Sequence, residues 1–152
     1  MNIQIERVNE QNVEQWMYLL DGLAGFEHRP PIGTAAKKRL KADALAPTPR
    51  FEAYLGALDG EAIGCLTLLS TYSTFRASPV LYIEDIFVLE AYRRRGVGQV
   101  LFDFCVRLAR ERQYAGLEWT VLKWNEPAIR FYDKNRGVPI SDWVWYRRDL
   151  HA

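Results

Sequence analysis

Apolar and polar positions change period along the first third of the chain. Residues 2–7 alternate between the two classes, which predicts a short strand. The apolar residues that follow recur at helical spacing and predict a helix over residues 10–24. A Pro- and Gly-containing loop then separates it from a second helix, which we expect Thr34 to cap and which runs to about residue 46.

Three strands are predicted in the middle of the chain. Segments 51–58 and 62–69 flank Asp59 and Gly60, a pair of residues typical of a two-residue hairpin turn. Residues 81–89 are rich in Ile, Val, Leu, Phe and Tyr, which predicts a buried strand. The first two of these strands should therefore form a hairpin.

The second half of the chain continues with helices and strands in alternation. A helix of roughly four turns starts at the glycines that end with Gly98. A strand that ends at Trp124 is followed by a helix that begins around Asn125 and Pro127, because Asn is a strong N-cap and Pro suits the first helical turn. The last two strands are predicted over residues 138–140 and 143–150.

The predicted order is strand, two helices, three strands, helix, strand, helix and two strands, without internal repeats. With 152 residues, of which 49% are hydrophobic, the chain can bury a substantial core in a single domain over residues 1–152. The formal net charge of +1 gives no global basic signal for nucleic acid. Four cations on the second helix are more typical of a solvated surface: Lys37, Lys38, Arg39 and Lys41.

Several other classes are not supported. Cys65 and Cys105 are too few and too scattered for a disulfide framework or a Cys-rich zinc site, and His28 and His151 do not suggest a metal pair. The N-terminus lacks the pattern of a signal peptide, and no apolar run approaches the roughly 18 residues that span a bilayer. A cytoplasmic protein without a metal is the expectation.

The turn between the strand at 81–89 and the next helix contains residues that are typical of an anion-binding site. It reads Arg93-x-x-Gly96-x-Gly98, with Arg94 and Arg95 between. The two glycines leave the backbone N–H groups accessible, and the helix dipole adds about half a positive charge at that end, so the turn can hold a phosphate. Alternatively, the glycines only permit a tight turn and the arginines are a solvated run. No Walker loop or dinucleotide fingerprint is present.

This turn, together with the WNEPAIRFY string that ends at Tyr132, resembles the GNAT superfamily of acyl-CoA-dependent N-acetyltransferases. The IED-x-FV and WNEPAI-x-FY strings are similar to its diamine and polyamine branch, which includes thialysine acetyltransferases. The resemblance implies an α/β GNAT fold, in which about four helices flank a central mixed, mostly antiparallel twisted sheet of six to seven strands. It also implies a homodimer.

The resemblance implies which residues contact acetyl-CoA. The turn matches the pyrophosphate loop, and the helix that follows Asn125 matches the second CoA-contacting helix. The implied contacts are Ile86, Phe87, Val88, Arg93, Arg94, Arg95, Gly96, Val97, Gly98, Asn125, Pro127, Ala128, Phe131 and Tyr132.

Glu84 and Asp85 lie in the middle of an apolar strand, where carboxylates need a partner. They either pair with nearby cations and organise the structure, or bind an amine and relay its proton to water. By resemblance, Glu84 removes the proton, and Asp85 and Glu27 bind the substrate amine. The resemblance also implies that Tyr132 is the general acid for the CoA thiolate; without it, a half-buried packing tyrosine would be the expectation.

The implied reaction is direct transfer of an acetyl group from acetyl-CoA to a small primary amine in a ternary complex. The TYST string and Arg76, in the loop before the central strand, favour a diamine or a lysine-like amino acid over a long polyamine. A protein N-terminus or lysine as acceptor, or a CoA-binding regulator without turnover, remains open.

Overall fold

A computed structural model describes residues 1–151. The residues fall into two compact units, Met1–Thr120 and a second that begins at Val121. The strands are β1 (Gln4–Arg7), β2 (Glu52–Leu58), β3 (Glu61–Ser73), β4 (Ser78–Val88) and β5 (Leu117–Trp119). The helices are α1 (Val13–Phe26), α2 (Thr34–Ala44), α3 (Val97–Glu111) and α4 (Glu126–Lys134), with a short 3₁₀ turn at Glu90–Tyr92.

The five strands form one mixed sheet in the order β1-β2-β3-β4-β5, antiparallel except for the parallel pair β4 and β5. Helix α3 provides the crossover that a parallel pair requires. The predicted hairpin is confirmed: Asp59 (φ 51°) and Gly60 (φ 83°) both adopt the left-handed conformation of a tight turn between β2 and β3.

Helices α1 and α3 pack on opposite faces of the sheet. Trp16 and Leu19 of α1 are fully buried in a cluster that includes Leu55 and Cys65. On the other face, Leu101 of α3 approaches the backbone so closely that a Cβ atom on Gly64 would lie 3.1 Å from its side chain. Each buried aliphatic side chain contributes about 1.5–3 kcal/mol, so these two layers hold the sheet in place.

The two strands predicted at the end of the chain are wrong. Residues 138–140 and 143–150 lie outside any strand, and the described sheet has five strands rather than six or seven. A strand requires a hydrogen-bonded neighbour, and within the described residues no strand pairs with these segments. Their large apolar side chains are exposed: Val138, Ile140, Trp143, Val144, Trp145, Tyr146 and Leu150.

Two predicted boundaries also need correction. The strand expected to end at Trp124 stops at Trp119, because β5 pairs with β4 over only three residues. Thr34 is the first residue of α2 and not its cap; Gly33 occupies the N-cap position, where no side chain accepts a hydrogen bond. The type and order of the other elements are confirmed.

The basic face of α2 makes structural ion pairs. Lys37 pairs with Asp21, and Lys41 Nζ lies 2.7 Å from Glu14 Oε1, both partners being on α1. These contacts join the two helices and support the prediction that the cations are a surface feature.

Glu52 lies at the centre of an ion-pair network at the start of β2. Arg112 donates two hydrogen bonds to its carboxylate, at 2.6 and 2.8 Å, and Arg7 Nη1 donates a third at 2.7 Å. The hydrogen bonds from Arg112 are the main cause of the lowered pKa of Glu52, about 2. The folded state therefore gains stability from ionised Glu52 above pH 4.5 and loses it as the pH falls towards 2.

Glu52→Gln is expected to lower the free energy of unfolding at pH 7 by about 1–2 kcal/mol, after allowance for solvent screening. The variant should also lose less stability than the native protein between pH 4.5 and 2, because it lacks this ionisation. Urea unfolding at several pH values measures both effects. The control is Glu118→Gln, which removes an exposed ion pair with Arg76 (3.2 Å) and should change stability by less than about 0.5 kcal/mol. Equal effects of the two variants would contradict the prediction.

Candidate active site

A β-bulge interrupts β4 at the two adjacent carboxylates. Thr67 of β3 pairs with Asp85, but the next residue of β3, Leu68, pairs with Ile83. Glu84 is therefore the extra residue of a bulge, which re-aims side chains away from strict alternation. Glu84 is exposed and Asp85 is half-buried.

The environment of Asp85 favours proton exchange near neutral pH. Burial is the main cause that raises the pKa of Asp85 to about 6, and the charges of Glu84 and Glu27 raise it further. Thr67 and Arg29 act in the opposite direction. The Thr67 hydroxyl is near enough to Asp85 to lower this pKa. Within the described residues, however, the buried Thr67 Oγ1 makes no hydrogen bond of standard geometry. At pH 7 the Asp85 carboxylate is largely ionised, yet it can accept a proton readily.

Glu27 and Arg29 both belong to the electrostatic environment of Asp85. Arg29 Nη2 lies 3.0 Å from Glu27 Oε2, and both side chains influence the pKa of Asp85. Arg29 was not predicted as a site residue. Its position two residues after Glu27, directly past the end of a helix, is the feature of the sequence that could have suggested it.

The turn after β4 has the backbone conformation of an anion site. Gly96 is the N-cap of α3 and adopts φ 83°, and Arg94 is also left-handed at φ 59°. The 15-residue helix α3 begins at Val97, so its first amides and its dipole both face this turn. Gly98 lies against β4, since a Cβ atom there would be 4.0 Å from Val88 Cγ2.

Arg93 connects this turn to the sheet. Its Nε donates a 2.9 Å hydrogen bond to the Val88 carbonyl, and its guanidinium lies 4.7 Å from the Phe26 ring centroid and 5.4 Å from that of Phe87. Arg95, in contrast, is exposed, with its guanidinium 5.4 Å from the ring centroid of Tyr92. Arg93 thus braces the turn, whereas Arg94 and Arg95 are exposed at its surface.

One edge of β4 is open beside the turn. Strand β5 pairs with β4 only over Leu81–Ile83, so within the described residues Glu84–Val88 has a strand neighbour on the β3 side alone. This edge includes Ile86, Phe87 and Val88. An extended ligand that carries amide groups can pair with such an edge through main-chain hydrogen bonds.

The second unit contains the remaining predicted site residues on or next to α4. Asn125 is confirmed as the N-cap, because its Oδ1 accepts a hydrogen bond from the Ala128 N–H at 3.4 Å, and Pro127 lies in the first turn. Tyr132 is half-buried on this helix, and its ring centroid lies 5.5 Å from that of Phe131. The helix therefore presents a phenol next to an aromatic ring that has no hydroxyl.

Residues 1–151 offer little support for a cysteine nucleophile, a metal site or a membrane span. Burial raises the pKa of the Cys105 thiol to about 12, which disfavours a cysteine nucleophile. Within residues 1–151, no three His, Cys, Asp or Glu side chains are grouped so that they could hold a metal ion. None of the helices in the same range has the length and apolar character needed to cross a membrane.

Known proteins resemble this chain over most of its length. A family model described as "Acetyltransferase (GNAT) family" matches residues 16–138. A thialysine N-epsilon-acetyltransferase from Caenorhabditis elegans is 31% identical over 153 residues, which cover 97% of this chain and 92% of that protein. An L-ornithine N5-acetyltransferase from Arabidopsis thaliana is 35% identical over 80 residues, or 53% of this chain and 35% of that protein. The solved structure of a possible acetyltransferase from Clostridium difficile 630 has a TM-score of 0.85, with 18% identity and full coverage of both chains, and shows the shared fold.

Proposed function

The chain belongs to the acetyltransferase (GNAT) family, and we propose that it transfers an acetyl group from acetyl-CoA to a primary amine of a small molecule by direct attack in a ternary complex. The observation that carries the proposal is Asp85. It is a half-buried carboxylate with a pKa of about 6, and it lies on the strand that leads into the turn capped by Gly96. A cationic amine that binds there can lose its proton and attack the thioester.

For the donor, we propose that the first turn of α3 holds the CoA pyrophosphate. The left-handed Gly96 and the first amides of the helix support this role, and the exposed cations Arg94 and Arg95 add charge. The open edge at Ile86–Val88 can pair with the amides of the pantetheine arm. Asn125, Pro127, Ala128 and Phe131 remain proposed contacts on resemblance alone.

The family resemblance gives the role of proton acceptor to Glu84, but the surroundings of Asp85 make Asp85 the better candidate for that role. General bases work best when their pKa lies near the working pH, and burial brings that of Asp85 to about 6. Glu84 is exposed at the bulge, where it can attract and orient the cationic amine. We therefore propose that Asp85 takes the proton, directly or through water, and that Glu84 contributes to binding.

The CoA thiolate that leaves in this reaction requires a proton. The free amine attacks the thioester carbonyl, the nitrogen of the tetrahedral intermediate loses its second proton to water, and the C–S bond breaks to release a thiolate. We propose that the Tyr132 hydroxyl donates a proton to this sulfur, which is the role that the family resemblance implies. No covalent enzyme intermediate is needed.

Gly96→Val is expected to weaken acetyl-CoA binding by about tenfold or more. Gly96 adopts φ 83°, a conformation that β-branched residues avoid, so the turn must rearrange and its amides lose their orientation. Equilibrium binding of acetyl-CoA, with a melting curve to establish folding, measures the effect.

Gly60→Val is the matched control. Gly60 has the same φ of 83°, and a Cβ atom on either glycine would meet nothing within 4 Å, so both substitutions impose similar backbone strain. Gly60 lies in the turn between β2 and β3, and its variant should bind acetyl-CoA with native affinity. If Gly96→Val binds as tightly as Gly60→Val, the phosphate assignment is wrong.

The proposed function is tested by release of free thiol from acetyl-CoA with a panel of small amines that includes lysine, thialysine, ornithine, putrescine and spermidine. Release with one or two of them would support the proposal. CoA binding without release would favour a regulator, and acetylation of proteins in a mixture, detected by mass spectrometry, would favour a protein acceptor.

We also propose a homodimer, as the family resemblance implies. The exposed apolar side chains between Trp143 and Tyr146 support an interface, because soluble proteins seldom leave such clusters open to water. Sedimentation of the native protein measures its mass in solution.

A further inference from the structure

The end of α1 places two opposite charges in a fixed turn. His28 adopts φ 59°, which few residues other than glycine do, and its N–H donates to the Gly25 carbonyl at 3.2 Å. The Arg29 N–H donates to the Ala24 carbonyl at 2.8 Å, which completes a Schellman motif. The backbones of Glu27 and Arg29 are therefore held by the helix end.

The Glu27–Arg29 pair is suited to binding a group of both charges. A single contact of 3.0 Å joins the side chains, and the Arg29 side chain is 67% exposed. A guanidinium has five N–H donors and binds carboxylates through two of them, so one contact leaves Arg29 with capacity for a second carboxylate. Glu27 is half-buried and Arg29 is exposed, so solvent screens this ion pair on the Arg29 side and a ligand can replace part of it at small cost.

Side-chain contacts place the pair near the strand that carries Asp85. Glu27 directly follows Phe26, whose ring centroid lies 4.7 Å from the Arg93 guanidinium. The same guanidinium lies 5.4 Å from the ring centroid of Phe87, two residues after Asp85. The charges of Glu27 and Arg29 also act on Asp85.

We propose that the Glu27–Arg29 pair binds the zwitterionic head of an amino acid acceptor, with Arg29 on the α-carboxylate and Glu27 on the α-ammonium, while the side-chain amine reaches Asp85. This inference rests on the proposed function and names its substrate class. The names of two relatives, which specify thialysine and L-ornithine, are consistent with it.

A diamine would fit this arrangement less well. Its second ammonium could approach Glu27, but it would also meet the positive charge of Arg29, which is 3.0 Å from Glu27. The ammonium of a diamine and the guanidinium would repel each other, whereas an amino acid also brings an α-carboxylate that neutralises Arg29. Arg29 would therefore distinguish amino acids from the corresponding amines without a carboxylate.

The experiment compares kcat/KM for lysine and lysinamide, and for ornithine and putrescine, because each pair differs in the carboxylate. The native protein should favour the amino acid by about 10- to 100-fold, which is the effect of one charged hydrogen-bonding group. Arg29→Met should bring both ratios close to one, and Arg29→Lys should restore part of the preference. Arg39→Met, an exposed site on α2, serves as the control and should retain the native ratios.

The proposal is overturned if the native protein favours lysinamide or putrescine, or if Arg29→Met keeps the native preference. Binding by calorimetry with the same four compounds separates this inference from the proposed reaction. If no amine is acetylated, the proposed function fails, but lysine binding that weakens in Arg29→Met would still support the head-group site. Absence of lysine binding to the native protein would overturn the inference itself.

Discussion

Replacing Tyr132 with phenylalanine is expected to lower kcat by about 10²- to 10⁴-fold while the affinity for acetyl-CoA changes little. General acid catalysis contributes an effect of this size, and the substitution removes only the proton donor. The half-buried ring on α4 is retained, so packing should be preserved. Steady-state kinetics at saturating acetyl-CoA and amine, together with a binding titration of acetyl-CoA, measure the two quantities.

Tyr18→Phe is the control for loss of a phenolic hydroxyl. Tyr18 is 69% exposed on α1, and its variant should have native kinetics. An acetyl thioester whose thiol is more acidic releases its thiolate with less help from a general acid. With such a thioester in place of acetyl-CoA, the loss of kcat in Tyr132→Phe should therefore be smaller. A native kcat in Tyr132→Phe would remove the residue from the mechanism.

Local patterns were sufficient to predict most of the fold. The left-handed Asp59–Gly60 turn and the Asn125 cap were predicted because each depends on residues adjacent in sequence. The strands expected over residues 138–140 and 143–150 failed for the complementary reason. Apolar β-branched and aromatic residues show only that a segment can pair, and whether a neighbouring strand exists depends on the rest of the fold.

The candidate site shows the same limit. The carboxylates at Glu84 and Asp85 were recognisable, but the bulge that exposes one and buries the other arises from the register with Thr67 on β3. Arg93 was expected to contact phosphate, and its hydrogen bond to Val88 adds a bracing role that no motif encodes. Arg29 becomes a candidate site residue only because its side chain contacts Glu27 and its charge acts on Asp85, and the sequence alone shows neither.

The contacts of Arg93 suggest how the two ends of the candidate site are held in register. Its guanidinium touches Phe26, the last residue of α1, immediately before Glu27. It also lies over Phe87 of β4, two residues after Asp85. One side chain thereby contacts both β4 and the end of α1 from the turn before α3. Precise placement of reacting groups contributes strongly to catalysis, so if the proposed roles of these segments hold, Arg93 would support the reaction by positioning them.

Asp85→Asn is expected to lower kcat by about 10²- to 10⁴-fold and to abolish the decline of kcat on the acid side. In the native protein, kcat should fall as the pH drops through about 6, because protonated Asp85 cannot accept a proton from the amine. The amide has no such ionisation, so the residual rate should show no inflection at that pH. A profile of kcat from pH 5 to 8, at saturating substrates, measures both effects.

Two further measurements make this test specific to proton removal: the stability of Asp85→Asn and the pH profile of Glu84→Gln. The pKa of Asp85 is raised in the folded state, so the native protein loses stability as the pH rises from 3.8 to about 6, and Asp85→Asn should be at least as stable as the native protein at pH 7. Loss of activity then cannot be attributed to unfolding. Glu84→Gln should raise KM for the amine and keep the inflection near pH 6, because it removes a binding charge at the exposed position of the bulge. If the inflection disappears in Glu84→Gln and persists in Asp85→Asn, Glu84 is the base, and the half-buried Asp85 serves only to bind the amine.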